Sequence, residues 1–360
     1  MNRYGKKVLL VYGGGSIKRI GLYDKVKQLL ADFEIHELSG IAPNPRVDSV
    51  RKGVKICREQ NIEVILAAGG GSVIDCAKAI AAAFYFEGDP WQMIASQAEI
   101  NQALPIVTIL TAAATGSEAD FGAVISNPKT HEKLGLNSFQ LFPKVSILNP
   151  EYTFTVPKMQ TAAGSIDILS HLMEQYFVPV STYMSDLLVE AVMKTVVKYA
   201  PIACAQPDHY EARGQLMWAS TIADNATLCN GNQLVAFSCH GIEHELSAYY
   251  DVTHGIGLAM ITPRWMEYIL SEKTAPRLAH FGKAVFGIEG GDEMERAKRT
   301  IQALYRFFES LGVPMHFADL KVGSEHFDEM AVHAVKNGEL AYAWVPLDAK
   351  DVKRIYEMCL

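Results

Sequence analysis

Twice the chain runs from a short β-branched apolar segment straight into Gly-Gly-Gly-Ser, at Gly13-Gly14-Gly15-Ser16 and again at Gly69-Gly70-Gly71-Ser72, and each time a helical pattern follows. The segments ahead of these turns, Lys7–Tyr12 and 62–68, have the length and branching of buried strands. Between them Asn44-Pro45 predicts a helix start, with Asn as N-cap and Pro in the first helical position, and Val47, Val50, Val54 and Cys57 supply the apolar spacing. Strand, helix, strand, helix predicts a parallel sheet covered on both faces. Further strands are predicted at 105–110 and Val145–Leu148, and 121–126 and 133–137 flank Asn127-Pro128-Lys129-Thr130 like the arms of a hairpin.

After Asn149-Pro150 these runs disappear and helical spacing takes over, near 157–177, 182–200, 209–229, 233–249, 255–270, 273–286, 291–311, 322–337 and 348–358. The expected organisation is an N-terminal dinucleotide-binding, Rossmann-like α/β domain over 1–150 and an all-helical domain over 151–360. With 49% hydrophobic residues among 360, each can bury a core. A net charge of −7 without a basic stripe argues against nucleic acid. Six cysteines without a C-x-x-C pair fit a reducing cytoplasm. The longest apolar run, 64–74, is about half a membrane span, so no membrane partner is expected. The expected partner is a small molecule.

A strand feeding a glycine turn and a helix N-terminus lets backbone N–H groups approach an anion. The second turn continues into Asp75 and Lys78, which fit dipole neutralisation and equally ribose and phosphate contacts. A third polar loop, Thr111-Ala112-Ala113-Ala114-Thr115-Gly116-Ser117-Glu118, follows the strand at 105–110 and so emerges at the carboxyl edge, where open α/β sheets bind ligands.

Asp167 and His171 stand four apart in a helical segment and share a face. Alone, such a pair is more often a surface ion pair or an N-cap arrangement. Cys239-His240-Gly241-Ile242-Glu243-His244-Glu245 adds two histidines on one helical face in apolar surroundings, and His254-Gly255 opens the next helix. Together they could supply imidazoles and one carboxylate to a divalent cation, with a position left for substrate.

The combination of GGGSIK at 13–18, GGGSVIDCAK at 69–78, TGSEAD at 115–120, D-x3-H at 167–171 and H-x3-H-x9-HG at 240–255 resembles the iron-containing (group III) alcohol dehydrogenases, in particular their butanol dehydrogenase-like branch. The resemblance implies one Fe2+ or Zn2+ held by Asp167, His171, His240 and His254, with His244 near the nicotinamide and off the metal. It implies cofactor residues at Gly13, Gly14, Ser16, Gly70, Gly71, Ser72, Asp75, Thr111, Thr115 and Lys133, and a homodimer. Family members carry a further strand and helix ahead of the text equivalent to Tyr4-Gly5-Lys6-Lys7, so the expectation is either a sheet short of one edge strand or a sequence that is part of a longer chain. The loop 110–116 also departs from the usual Pro-Thr-Thr-Ala-Gly-Thr-Gly, which puts its backbone contacts in question.

The expected activity is that of a metal-dependent NAD(P)(H) alcohol dehydrogenase or aldehyde reductase on short- to medium-chain substrates. Hydride passes between the alcohol carbon and nicotinamide C4 while the metal polarises the oxygen, with Asp167 and His254 acting through the metal and His244 relaying the proton. Phe121, Phe139, Phe237 and Leu234 would suit an alkyl or aryl tail. Neutral Ser16, with Lys18 and Arg19 beside it, predicts NADP(H) preferred over NAD(H), because a carboxylate there would repel the 2′-phosphate. The competing role for Ser16 is to cap a helix beginning near Ile17. A dehydroquinate synthase-like lyase or a glycerol(-phosphate) dehydrogenase-like enzyme would need Lys and Arg around a phosphorylated substrate, and 233–261 contains neither.

Overall fold

Apolar residues that suit burial on both faces place KVLLVY in β1 (Lys7–Tyr12), the first strand in a computed structural model that describes every residue from Met1 to Leu360. The chain continues through α1 (Ser16–Arg19), α2 (Leu22–Leu29), β2 (Glu34–Leu38), α3 (Val47–Gln60), β3 (Val64–Gly69), α4 (Gly71–Ala83), α5 (Pro90–Ala95) and β4 (Ile106–Leu110). The antiparallel pair β5 (Gly122–Asn127) and β6 (Glu132–Asn137) then precedes β7 (Val145–Leu148), within a unit spanning Met1–Val156. Its main sheet is parallel, in the order β2-β1-β3-β4-β7.

That order decides where a ligand can sit. From β1 the chain goes outward to β2 and returns to β3 on the other side of β1, so the winding reverses between β1 and β3. Both Gly-Gly-Gly-Ser turns open at the carboxyl ends of those two strands, at the crevice such a reversal creates. One face of the sheet packs Val8, Leu10, Leu66 and Val107 against Ile17, Leu22 and Val26 of α1 and α2.

Two local expectations are corrected, and one strand has no counterpart among the sequence expectations. The strand β2, with the sequence EIHEL, offers no apolar run and went unpredicted; it forms because it is an edge, pairing only with β1 and leaving its charged residues partly in water. α3 begins at Val47 with Arg46 in the cap position, and Asn44 lies in the left-handed region at φ 51°, so Asn44-Pro45 shapes the preceding loop. Ser16 does not cap α1: the cap is Gly15 at φ 101°, a conformation costly for any side chain, and Ser16 is the first helical residue.

The second unit, Pro157–Leu360, holds nine α-helices: α6 (Lys158–Tyr176), α7 (Tyr183–Ala205), α8 (Tyr210–Ala223), α9 (Ser238–Tyr250), α10 (His254–Tyr268), α11 (Ala275–Phe286), α12 (Glu293–Ser310), α13 (Phe327–Asn337) and α14 (Ala349–Glu357). Each falls within a predicted segment or within a few residues of one. α8 ends six residues before its predicted segment does, and α9 begins five residues late, where the chain ahead of Ser238 is extended enough for Ala236 to bridge Ala343. α6 is buried all round from Thr161 to Tyr176 and forms the axis of this unit, packed by α7, α8, α9 and α10. No helix is long and apolar enough to cross a membrane.

Candidate functional site

Being buried on every side, α6 must direct its polar residues at partners rather than water. Asp167, His171 and Glu174 follow one another at helical spacings of four and three and are all buried. α9 supplies His240, and α10 begins at His254. Asp167 Oδ1 is faced by His254 Nε2 at 3.5 Å, His240 Nε2 at 3.6 Å and His171 Nδ1 at 3.9 Å. It accepts no hydrogen bond. The ligand atoms of Asp167, His240 and His254 all lie within 4.8 Å of one another, and the His171 ring stacks on His240 with centroids 4.5 Å apart.

These donors fit a divalent cation. A buried carboxylate oxygen surrounded at 3.5–3.9 Å by imidazole nitrogens is left unsatisfied unless a cation stands among them. Charge agrees, since Asp167, Glu174 and Glu243 are all buried around the cluster and 233–261 holds no Lys or Arg. Burial works to raise the Asp167 carboxyl, but His171, His254 and His240 together carry it well below the usual carboxylate range. Burial likewise works to lower His240, yet Glu174 and Asp167 push it up to about 10.

His244 stands beside this set and outside it. Its ring is 5.4 Å from that of His254 and 6.2 Å from that of His240. Glu243, His244 and His254 form a second group of neighbouring donors, but Glu243 is engaged there by His254 Nδ1 and by Ser247. Phe237 lies 5.8 Å from the His240 ring, an apolar neighbour as expected, whereas Phe121 and Phe139 pack on each other in the first unit.

At the sheet edge, Gly13, Gly14 and Ser16 follow β1, and Gly70, Gly71 and Ser72 open α4. Gly71 is required by packing, because a Cβ there would overlap the Thr115 side chain. The third loop is fastened to this turn by Thr111 N–H donating to the Gly69 carbonyl at 3.0 Å. Asp75, expected among the nucleotide residues, spends its oxygens internally, one accepting from Ser117 Oγ at 2.6 Å and the other from Val124 N–H at 3.0 Å. Lys78 is fully buried and donates to Asp120 Oδ1 and to the Asp120 and Gly122 carbonyls, bracing the same loop. Lys133 lies buried on β6, opposite Ser126.

Three acidic residues around the cluster were not singled out from sequence. Glu174 extends the Asp167–His171 face by one more turn, a spacing that could have revealed it. Glu243 meets His254 of the next helix, and Asp224 lies 3.9 Å from His171 Nε2. The last two contacts come from separate helices and loops and leave no local signal.

The family model described as iron-containing alcohol dehydrogenase matches residues 1–150, and its Fe-containing C-terminal counterpart matches 161–360. NADH-dependent butanol dehydrogenase A of Clostridium acetobutylicum is 48% identical over 99% of this chain and 93% of its own length. The NADPH-dependent aldehyde reductase YqhD of Escherichia coli is 37% identical over 87% and 81%. The crystal structure of NADH-dependent butanol dehydrogenase A from Thermotoga maritima superposes with a TM-score of 0.95 at 38% identity, covering 99% of this chain and 92% of that one.

Proposed function

The chain belongs to the iron-containing alcohol dehydrogenase family and is an alcohol dehydrogenase or aldehyde reductase, and on that premise we propose how its own residues divide the work. Asp167, His171, His240 and His254 hold one divalent metal, Fe2+ or Zn2+. Bound there, the metal supplies Lewis acidity to the alcohol or aldehyde oxygen, and NAD(P)(H) carries the hydride at nicotinamide C4. His244, beside the donors, moves the proton to or from that oxygen. Phe237 walls the site with apolar surface, and the absence of Lys and Arg across 233–261 leaves nothing to grip a phosphate, which favours a short- to medium-chain alkyl substrate. The observation that carries this reading is the buried Asp167 Oδ1, ringed by imidazole nitrogens and accepting no hydrogen bond. Butyraldehyde-dependent oxidation of NADH or NADPH by the Fe2+- or Zn2+-loaded protein tests it; no turnover in either loaded form would overturn it.

Nucleotide choice belongs to the same proposal. The clostridial relative is named NADH-dependent and the Escherichia coli one NADPH-dependent, so this chain's own residues must decide. Ser16 brings no negative charge to the first glycine turn. Glu37, near the end of β2 where an acidic residue commonly binds ribose hydroxyls, already accepts from the Tyr12 and Tyr23 hydroxyls, with Lys27 at 3.2 Å. Lys18 sits over the Tyr12 and Tyr23 rings close to that turn. These features support NADP(H) over NAD(H). Ser16→Asp is expected to raise KM for NADPH at least about tenfold more than KM for NADH, through like-charge repulsion. Equal KM values for both nucleotides in the unmodified enzyme would sink the preference. The reading also takes the chain as a cytoplasmic homodimer, in keeping with six unoxidised, buried cysteines and the half-exposed Val145 and Ile147 on the edge strand β7.

A further inference from the structure

The two ring nitrogens of His254 face different carboxylates. Nε2 points at Asp167 Oδ1, among the metal donors, while Nδ1 meets Glu243 on the far side of the ring. Glu243 is wholly buried on α9, and its other oxygen accepts from Ser247 Oγ at 2.5 Å, one helical turn away. Ser247 Oγ also contacts the Val252 carbonyl at 3.0 Å, in the loop that delivers His254. Space for the carboxylate comes from Gly257, where a Cβ would press on the Glu243 side chain. Placing a carboxylate wholly out of water is expensive unless it has a definite partner, and here both oxygens have one. His240 is held differently: Glu174 Oε1 accepts from its backbone N–H at 3.0 Å, with Oε2 3.2 Å from Nδ1.

We propose that Glu243 is a positioning residue, which fixes the hydrogen of His254 on Nδ1 and the plane of its ring, so that the lone pair of Nε2 is aimed at the metal beside Asp167. The inference rests on the metal reading of Asp167, His171, His240 and His254. An imidazole can carry its hydrogen on either nitrogen, and only one tautomer can ligate through Nε2; an acceptor at Nδ1 selects it. Glu243 is separated from Asp167 by the width of the imidazole, so it acts through His254 and not as a ligand of the same ion.

The test uses Co2+, whose visible absorption reports the geometry of its ligands, titrated into the full-length metal-stripped protein against a competing chelator. Glu243→Ala is expected to weaken Co2+ binding by about 10- to 100-fold and to shift the visible band, while Glu243→Gln, whose amide oxygen can still accept from Nδ1, recovers most of both. Ser247→Ala should move affinity and spectrum the same way by a smaller factor, which covers the case of a Glu243→Ala protein that does not fold. Unchanged affinity and spectrum in folded Glu243→Ala, or in Ser247→Ala where Glu243→Ala does not fold, would overturn the inference while leaving the metal site standing. Loss of Co2+ from Glu243→Gln as complete as that from His240→Ala would make Glu243 a ligand and overturn it too. Failure of the unmodified protein to bind Co2+ would remove the metal reading, and this inference with it.

Discussion

At the scale of single residues, the split between His254 and His244 is the sharpest consequence of the geometry. His254 Nε2 is among the atoms facing Asp167 Oδ1, and His244 is only a neighbour of that ring. His254→Ala should therefore lose the metal and most activity while staying folded. His244→Ala should keep the metal and show reduced turnover or a shifted pH profile. Elemental analysis of the two proteins decides, and metal retained in the first or lost from the second would reverse the roles. Asp75 allows a prediction of another kind. Burial, only partly countered by Lys78 and Ser117, raises its carboxyl from 3.8 to about 6. Between those values the folded protein holds a proton that the unfolded chain has released, so this group's contribution to stability declines as pH rises through that window, by roughly 3 kcal/mol in all. Asp75→Asn can still pair with Ser117 and Val124 and removes the titration. It should flatten that pH dependence and leave stability at neutral pH equal or higher, whereas Asp75→Ala strands both donors at about 1–3 kcal/mol. Denaturant unfolding at about pH 5 and pH 7.5 measures both, and an Asn variant much weaker than the parent at neutral pH would contradict the account.

Among elements, what could be read from sequence and what could not follow one physical line. The face carrying Asp167 and His171 was legible because helical spacing is a local property, and β1, the β5–β6 hairpin and the nine later helices were legible from their own periodicity and breaks. β2 was not, because an edge strand half in water needs no apolar run, and its pairing partner lies more than 20 residues earlier. The role of Glu243 was not, because its partner His254 belongs to the next helix and meets it only through packing. That packing has an identifiable origin at Gly255. A Cβ there would overlap the Ala163 carbonyl, so α10 can cross α6 this closely only with no side chain at that position. Gly255→Ala must push α10 away from α6 and carry the adjacent His254 away from Asp167. A loss of about 1–3 kcal/mol or more is expected, because backbone cannot yield as a side chain can, together with weakened metal binding. A variant with unchanged unfolding midpoint and metal content would show that the approach of the two helices does not place His254.

For the whole molecule, the two units have separate cores, one built on the parallel sheet and α1–α2, the other around α6, and the proposed metal donors belong entirely to the second. The helical unit buries Asp167, Glu174 and Glu243, and the dication proposed among the histidines would offset two of those charges. A ligand that binds only the folded state stabilises it by mass action, about 4 kcal/mol when its concentration is a thousandfold above Kd. Chelating the metal should therefore loosen the helical unit first. Hydrogen exchange is expected to speed up in α6, α9 and α10 on treatment with chelator, while amides of β1, β3 and β4 keep their protection. Adding NAD(P)(H) to the stripped protein should protect the segments after β1 and β3 and leave α6 unchanged, because the glycine turns and the histidine cluster stand on different cores. No loosening of α6 by the chelator would mean that the buried carboxylates are satisfied without a cation and that the ring of imidazoles around Asp167 is structural, whereas equal loosening of both units would overturn the expectation that the two cores respond separately.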